Sequence, residues 1–134
     1  MFPEVAMASP EGRVQDMRDV MDIQAVDQTT MRVVLVGRLD TPTIERIEPG
    51  LRARIRDSRQ HVIVDLYEVG FAASLAIRMF VVIARQLQGT GRKIVLFGAQ
   101  PLVQDMFDRV ALDDLVPIVP DVSDALALID AVSR

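Results

Sequence analysis

Three side chains, Ser74, Arg78 and Arg85, have the types and spacing to carry or bind a phosphate group. Ser74 follows an apolar strand candidate and a turn predicted at Val69-Gly70-Phe71, and apolar residues recur at helical spacing from there to about Gln88. The first N–H groups of a helix are unpaired and its dipole is positive there, so an anion or a phosphorylated serine is favourable at Ser74. A serine that only caps its helix is the alternative, and the sequence leaves both open.

The helix predicted from about Ala73 to Gln88 has two different faces. At about 100° per residue, Ser74, Arg78, Val81, Arg85 and Gln88 fall on one narrow stripe. The residues predicted to face the core are Ala72, Ala76, Phe80, Ile83 and Leu87. Arg78 stands four residues from Ser74, so its guanidinium could reach a phosphate there. We expect the stripe to bind an acidic partner surface; an ordinary solvated helix face is the alternative.

Short strands alternate with helices along the rest of the chain. The predicted strands are a hairpin of Asp22–Asp27 and Met31–Leu39, followed by His61–Leu66, Lys93–Phe97 and Val116–Val119; the helices begin at Asp40-Thr41-Pro42, Ala73, Pro101 and Asp121. Pro49-Gly50 is expected to kink or restart the first helix, and Pro117 places the last strand at an edge. The pattern predicts an α/β fold: a loose arm over residues 1–20, then one domain over 21–134, with a mixed sheet of four or five strands and helices packed against it.

Composition and charge limit the function classes. The 134 residues carry a net charge of −4, with cations spread over several segments, which argues against a nucleic-acid partner. Cysteine is absent and there is one histidine, so we expect no disulfide, no metal site and no cofactor. No apolar run has the length of a membrane span, so we expect a cytoplasmic protein without membrane insertion.

Three further candidates have simpler interpretations. Asp65 ends the predicted central strand, where a receiver domain would keep its phosphoacceptor, but a helix-capping or turn role is favoured. His61 is interpreted as a surface histidine, because strand direction separates it from Ser74 and forbids a nucleophilic triad. Gly89-Thr90-Gly91 follows a helix and precedes a strand, the reverse of a phosphate-binding loop, and therefore reads as a helix stop.

The order of these motifs resembles the STAS domain, the family of bacterial anti-sigma factor antagonists, over roughly residues 22–132. Gly37-Arg38-Leu39-Asp40 matches the family's glycine–glutamate–leucine–aspartate segment, and Thr43 falls where the first helix often opens on threonine or alanine. Phe71-Ala72-Ala73-Ser74-Leu75-Ala76 aligns with the central segment of phenylalanine, an apolar residue and aspartate-serine-serine-glycine. Pro101-Leu102-Val103 and Phe107 resemble the third helix of the family.

The resemblance implies a phosphorylation switch in a non-enzymatic regulator. In such antagonists a partner anti-sigma factor with serine kinase activity phosphorylates the first serine of the central motif, and phosphorylation breaks a complex that otherwise frees a sigma factor. Ser74 aligns with that phosphoacceptor. Ala73, Leu75 and Ala76 stand where the family has aspartate, serine and glycine, so the carboxylate that would hydrogen-bond beside the hydroxyl is missing.

A partner-binding surface is expected around Ser74. It comprises Asp40, Thr41, Thr43, Ala73, Leu75, Arg78 and Arg85, although capping alone would also explain the Asp40–Thr43 segment. Two other functions stay open. One is a non-phosphorylated STAS scaffold or subunit of a stress-signalling or lipid-transport complex; the other is a sensor that binds a nucleotide or lipid at the same helix N-terminus. A homodimer is also left open.

Overall fold

The computed structural model describes residues 20–132, and strands alternate with helices throughout them. The elements are β1 (Met21–Ala25), β2 (Thr30–Leu39), α1 (Thr41–Asp57), β3 (His61–Ala72), α2 (Ser74–Leu87), β4 (Ile94–Phe97), α3 (Pro101–Arg109), β5 (Ile118–Val119) and α4 (Val122–Val132), with a 3₁₀ turn at Leu112–Asp114. The arm predicted over residues 1–20 lies outside the described residues except for Val20, whose carbonyl oxygen accepts the Val36 N–H at 2.9 Å.

The five strands form one mixed sheet in the order β1-β2-β3-β4-β5. β1 and β2 are the predicted antiparallel hairpin, and every later pairing is parallel. β5 is short and lies at an edge, as the proline before it predicts. The single α/β domain with a mixed sheet is thus confirmed.

The sheet is covered by helices on both faces. Side chains of α1, α2 and α3 share the larger core with alternate residues of the strands. On the other face, Ala125 and Ile129 of α4 pack on Ile63, Val95 and Phe97. Both faces of β4 and of the first half of β3, residues 61–66, are therefore buried, which explains why these segments are mostly apolar.

Helix α1 continues through Pro49, so the predicted restart at Pro49-Gly50 is wrong. A proline in a helix interior removes one N–H of the ladder, but the rest of the helix is held by its apolar face. That face buries Ile44, Ile47 and Leu51 on both sides of the proline. Burial by tertiary packing therefore outweighs the local cost of proline.

Strand β3 is much longer than predicted and includes the residues expected to form a turn, Val69-Gly70-Phe71. Its second half stays paired with β2, with register shifts between Val34 and Val36 and between Gly37 and Arg38. Gly37 has a φ of +92°, in the left-handed region that favours glycine. With the register adjusted at these two points, β2 and β3 remain paired as far as Leu39 and Ala72, close to Asp40 and Ser74.

Asp65 lies inside β3, so the helix-capping or turn role expected for it is wrong. It is buried, paired in register with Val34 and Phe97, and its carboxylate contacts the guanidinium of Arg32 at 2.6 Å. The same carboxylate accepts the backbone N–H of Tyr67 at 3.0 Å. An ion pair between this buried carboxylate and a partly exposed guanidinium thus explains the aspartate.

His61 is buried at the start of β3, and its interpretation as a surface histidine is wrong. Its Nδ1 accepts the backbone N–H of Lys93 at 3.0 Å, which ties β3 to the segment before β4. Burial, and then the nearby Arg92 charge, hold the pKa of His61 below its usual value of 6.5. The imidazole is therefore a neutral structural acceptor.

Candidate functional site

The ends of β2 and β3 place Asp40 and Ser74 at the same edge of the sheet. Leu39 and Ala72 are the last residues paired between the two strands. Beyond them, the Ala73 N–H donates to the Leu39 carbonyl oxygen at 2.9 Å. Because the strands are parallel, α1 and α2 both begin at this edge.

Ser74 is the first residue of α2, and its side chain is exposed. The N-cap is Ala73, with extended backbone angles of −72° and 166° and no side-chain hydrogen bond. The N–H groups of Ala76 and Ile77 both donate to the Ala73 carbonyl. Capping by the Ser74 hydroxyl, the simpler alternative, is therefore wrong, and the hydroxyl stands at an uncapped helix N-terminus.

Asp40 caps the neighbouring helix, α1. Its Oδ1 accepts the Thr43 N–H at 3.1 Å, and hydrogen bonds from Thr43, with weaker attraction from Arg38 and Arg46, hold the pKa of Asp40 below its usual 3.8. Thr43 is buried, whereas Thr41 is exposed. The carboxylate and Thr43 thus hold the helix start in place, and the Thr41 side chain of this turn is exposed.

A groove of about 490 Å³ lies beside Ser74. Its walls come from the end of β3, the first turn of α2 and the last turn of α3: Thr41, Phe71, Ala72, Ala73, Ser74, Leu75, Ile77, Met106, Arg109 and Val110. Most of these side chains are apolar, and Val110 is more than half exposed. The predicted contacts Thr41, Ala73 and Leu75 therefore meet in one place.

Arg109 is the cation of this groove, and the sequence did not point to it. It lies at the end of α3, where its Nε contacts Asp105 at 2.8 Å across one helical turn, and both side chains are largely exposed. The helical spacing of Val103 and Phe107, both buried, puts this pair on the outer face of α3. The spacing along α3 can be predicted from the sequence, but the nearness of α3 to Ser74 depends on the tertiary fold.

A second arginine borders the groove from the strand side. The guanidinium of Arg38 lies 4.3 Å from the centre of the Phe71 ring, a cation–π contact. Arg38 is exposed at the end of β2, and Phe71 lines the groove. The Phe71 ring and the Arg38 guanidinium therefore extend the groove surface from Ser74 toward the end of β2.

The predicted stripe of α2 is confirmed, but its two arginines lie far apart. Ser74, Arg78 and Arg85 are exposed, and the five residues predicted to face the core are all buried. Arg78 lies one turn from Ser74. Arg85 lies eleven residues from Ser74, about 16 Å along the helix, and lines a different groove. The structure therefore separates Arg85 from the other predicted contacts.

The groove depends on the packing of α2 against α3. Phe80 and Phe107 are both fully buried and meet edge to face, with ring centres 6.2 Å apart. This contact joins α2 to α3, the two helices that carry Ser74 and Arg109.

The profile of the STAS domain family matches residues 20–125 of the chain. BtrV of Bordetella bronchiseptica, named as a proposed anti-sigma factor antagonist, is 24% identical over 93 residues, which are 69% of this chain and 80% of BtrV.

Two solved structures are similar in fold. An anti-sigma factor antagonist from Mycobacterium paratuberculosis superimposes with a TM-score of 0.75 at 21% identity, covering 83% of this chain and 93% of that one. The anti-sigma factor antagonist SpoIIAA of Bacillus has been solved unphosphorylated, with a TM-score of 0.72, 18% identity and coverage of 84% and 97%. The phosphorylated form of SpoIIAA superimposes with a TM-score of 0.64 at 17% identity, covering 82% of this chain and 99% of that one.

Within residues 20–132, no helix is long and apolar enough to cross a membrane.

Proposed function

The chain belongs to the STAS domain family, and from this we propose that it is a cytoplasmic, non-enzymatic anti-sigma factor antagonist that acts by partner switching. The observation that carries the proposal is the exposed hydroxyl of Ser74 at the uncapped start of α2, beside an apolar groove. The partner is an anti-sigma factor with serine kinase activity. SpoIIAA, with the same fold, exists in unphosphorylated and phosphorylated forms.

In the unmodified state the groove offers a largely apolar docking surface, with Arg109 as its cation. Leu75, Met106 and Val110 supply apolar area, and Thr41 and Ser74 supply hydroxyls. An apolar side chain of the partner gains free energy by burial there, at about 25 cal/mol for each Å² removed from water. Binding at the groove holds the anti-sigma factor and leaves its sigma factor free.

Phosphorylation of Ser74 reverses this preference. The phosphate adds close to two negative charges and three strong acceptors to the groove. The N-terminus of α2 and the guanidinium of Arg109 stabilise the phosphate within the chain. An apolar or acidic partner surface then meets a charge that it must desolvate or that repels it, and the complex dissociates.

Kinase treatment followed by mass spectrometry tests the proposal. The chain is incubated with its anti-sigma factor and ATP, and the modified residue is located by fragmentation. We expect one phosphate, on Ser74, and none in the Ser74→Ala variant. Ser123, exposed in the first turn of α4, is the matched control, and Ser123→Ala should be modified like the wild type. A phosphate on Ser123 instead, or on no serine, would contradict the proposal.

A second candidate function is a constitutive STAS scaffold. It is favoured by the residues around the hydroxyl, because Ala73 and Leu75 offer no hydrogen-bonding side chain to assist phosphate transfer. In that case the unmodified groove binds its partner permanently. The same experiment separates the two functions, since the scaffold predicts a stable complex whose Ser74 stays unmodified in ATP.

A further inference from the structure

A second groove, of about 400 Å³, lies at the opposite end of α2 from Ser74, and we call it the basic groove. Arg85, Arg92 and Lys93 are its charged lining residues. Its apolar walls include Val81 and Leu115, and the Leu115 side chain is 58% exposed. Among the described residues, no acidic side chain lines it. Three cations therefore surround an apolar surface that is open to a ligand.

The positive charge continues into the neighbouring surface. Arg92 also lines an adjoining groove, with Arg56 and Arg59. The acid in that lining, Asp57, is paired with Arg56 at 3.2 Å. The chain as a whole has a net charge of −4. Cations are therefore concentrated at this end of a chain whose net charge is negative, and they attract acidic groups.

The backbone of the basic groove is held in position. Nη1 of Arg92 donates to the carbonyl oxygens of Ile55 and Ser58 at 2.9 and 2.7 Å, which anchors the residue to the end of α1. Gly89 and Gly91 have φ angles of +78° and +79°, so the turn between α2 and β4 has a conformation suited to glycine. Arg85 and Lys93 remain exposed on either side. The cations thus project from a fixed frame, so binding requires little ordering of the backbone.

We propose that the basic groove docks an acidic segment of a protein partner, with carboxylates on Arg85 and Lys93 and one apolar side chain on Val81 and Leu115. Charge complementarity selects this occupant, because three cations face no lining carboxylate. An open groove with an exposed leucine suits an extended segment that carries both kinds of side chain. This docking needs neither the Ser74 groove nor its phosphorylation.

A labelled peptide tests the proposal on the full chain. The probe is a short fluorescein-labelled peptide of glutamates with one central leucine, and its glutamine counterpart is the control peptide. The variant Arg85→Glu/Lys93→Glu reverses two groove cations. The control variant Arg46→Glu/Arg54→Glu reverses two exposed arginines of α1 that line neither the basic groove nor the adjoining groove. It changes the net charge by the same amount. Binding is followed by fluorescence anisotropy, and the site is located by amide NMR shifts.

The expected result is a Kd at least about tenfold higher in the groove variant and changed by less than about twofold in the control variant. Amide shifts should cluster in residues 88–93 and at Leu115. Equal weakening in both variants, or equal binding of the glutamine peptide, would overturn the proposal. A single-stranded oligonucleotide that binds the groove more tightly than the peptide would overturn the choice of occupant. The variant Arg85→Gln/Lys93→Gln repeats the test without reversing charge.

Discussion

The Ala73 N–H donates a 2.9 Å hydrogen bond to the Leu39 carbonyl, and this bond sets how the two helices at the site begin. Asp40 follows Leu39 and is the N-cap of α1; Ser74 follows Ala73 and is the first residue of α2. The two starts differ in one respect. Asp40 caps its own helix, whereas no side chain caps α2, so one N-terminus is satisfied internally and the other faces the groove.

Truncation of Phe80 should destabilise the domain and disturb the Ser74 groove together. Phe80→Ala leaves a cavity against Phe107 and should lower the free energy of unfolding by about 3–5 kcal/mol. Urea denaturation measures the change. Leu102→Ala, at a side chain that is 59% exposed on α3, is the control and should cost less than about 0.5 kcal/mol. Similar decreases in the free energy of unfolding of the two variants would contradict the packing of Phe80 against Phe107.

Arg109 should lower the second pKa of a phosphate on Ser74. A guanidinium favours the dianion, so Arg109→Gln should raise that pKa by about half a unit, as measured by ³¹P NMR titration of the phosphorylated chain. Arg78→Gln tests the arginine one turn along α2 in the same way. Arg54→Gln, exposed in the last turn of α1, should leave the titration unchanged. An unchanged pKa in Arg109→Gln would show that Arg109 does not contact the phosphate.

The cap formed by Asp40 should make stability depend on pH in the acid range. Its folded pKa lies below 3.8, so the ionised carboxylate stabilises the native state above that pH. The contribution is lost as the pH falls through the folded pKa. Asp40→Ala should therefore be less stable than the wild type at neutral pH, and the difference should shrink in acid. Asp40→Asn keeps an acceptor for the Thr43 N–H and is the control. A difference that stays constant into acid would contradict the cap.

His61 should contribute a second pH dependence at higher pH. Its folded pKa is lowered from 6.5, so the neutral form stabilises the native state above about pH 6.5, and stability falls as the pH drops through the folded pKa. His61→Asn offers an amide oxygen to the Lys93 N–H and does not titrate. Thermal unfolding of both proteins between pH 5 and 8 measures the effect. Parallel curves for the two would contradict it.

Helix α2 could be predicted from the sequence because burial along a helix follows local spacing. The residues predicted for its buried face are all buried, and the polar members of the predicted stripe, Ser74, Arg78, Arg85 and Gln88, are exposed. The helix stop at Gly89 and Gly91 is confirmed for the same reason, since α2 ends at Leu87 and both glycines have positive φ. Local chemistry decides these features.

The features that depend on distant residues were predicted less well. β3 continues through Gly70 because β2 stays paired with it, and the sequence of β3 alone does not reveal that partner. His61 and Asp65 looked like surface and turn residues, but their partners Lys93 and Arg32 come from other segments. Arg109 joins Ser74 only through the packing of α3. The exposed position of Ser74 near the start of α2 follows from the sequence, whereas the residues around it depend on the fold.

The most direct test compares the affinity of the unmodified and the Ser74-phosphorylated chain for the anti-sigma factor. Isothermal titration calorimetry measures both, with Ser123→Glu as a control for added charge elsewhere. We predict that the unmodified chain and Ser123→Glu bind alike, and that phosphorylation of Ser74 weakens binding at least about tenfold. Equal affinity of the phosphorylated and unmodified chains would contradict the proposed switch.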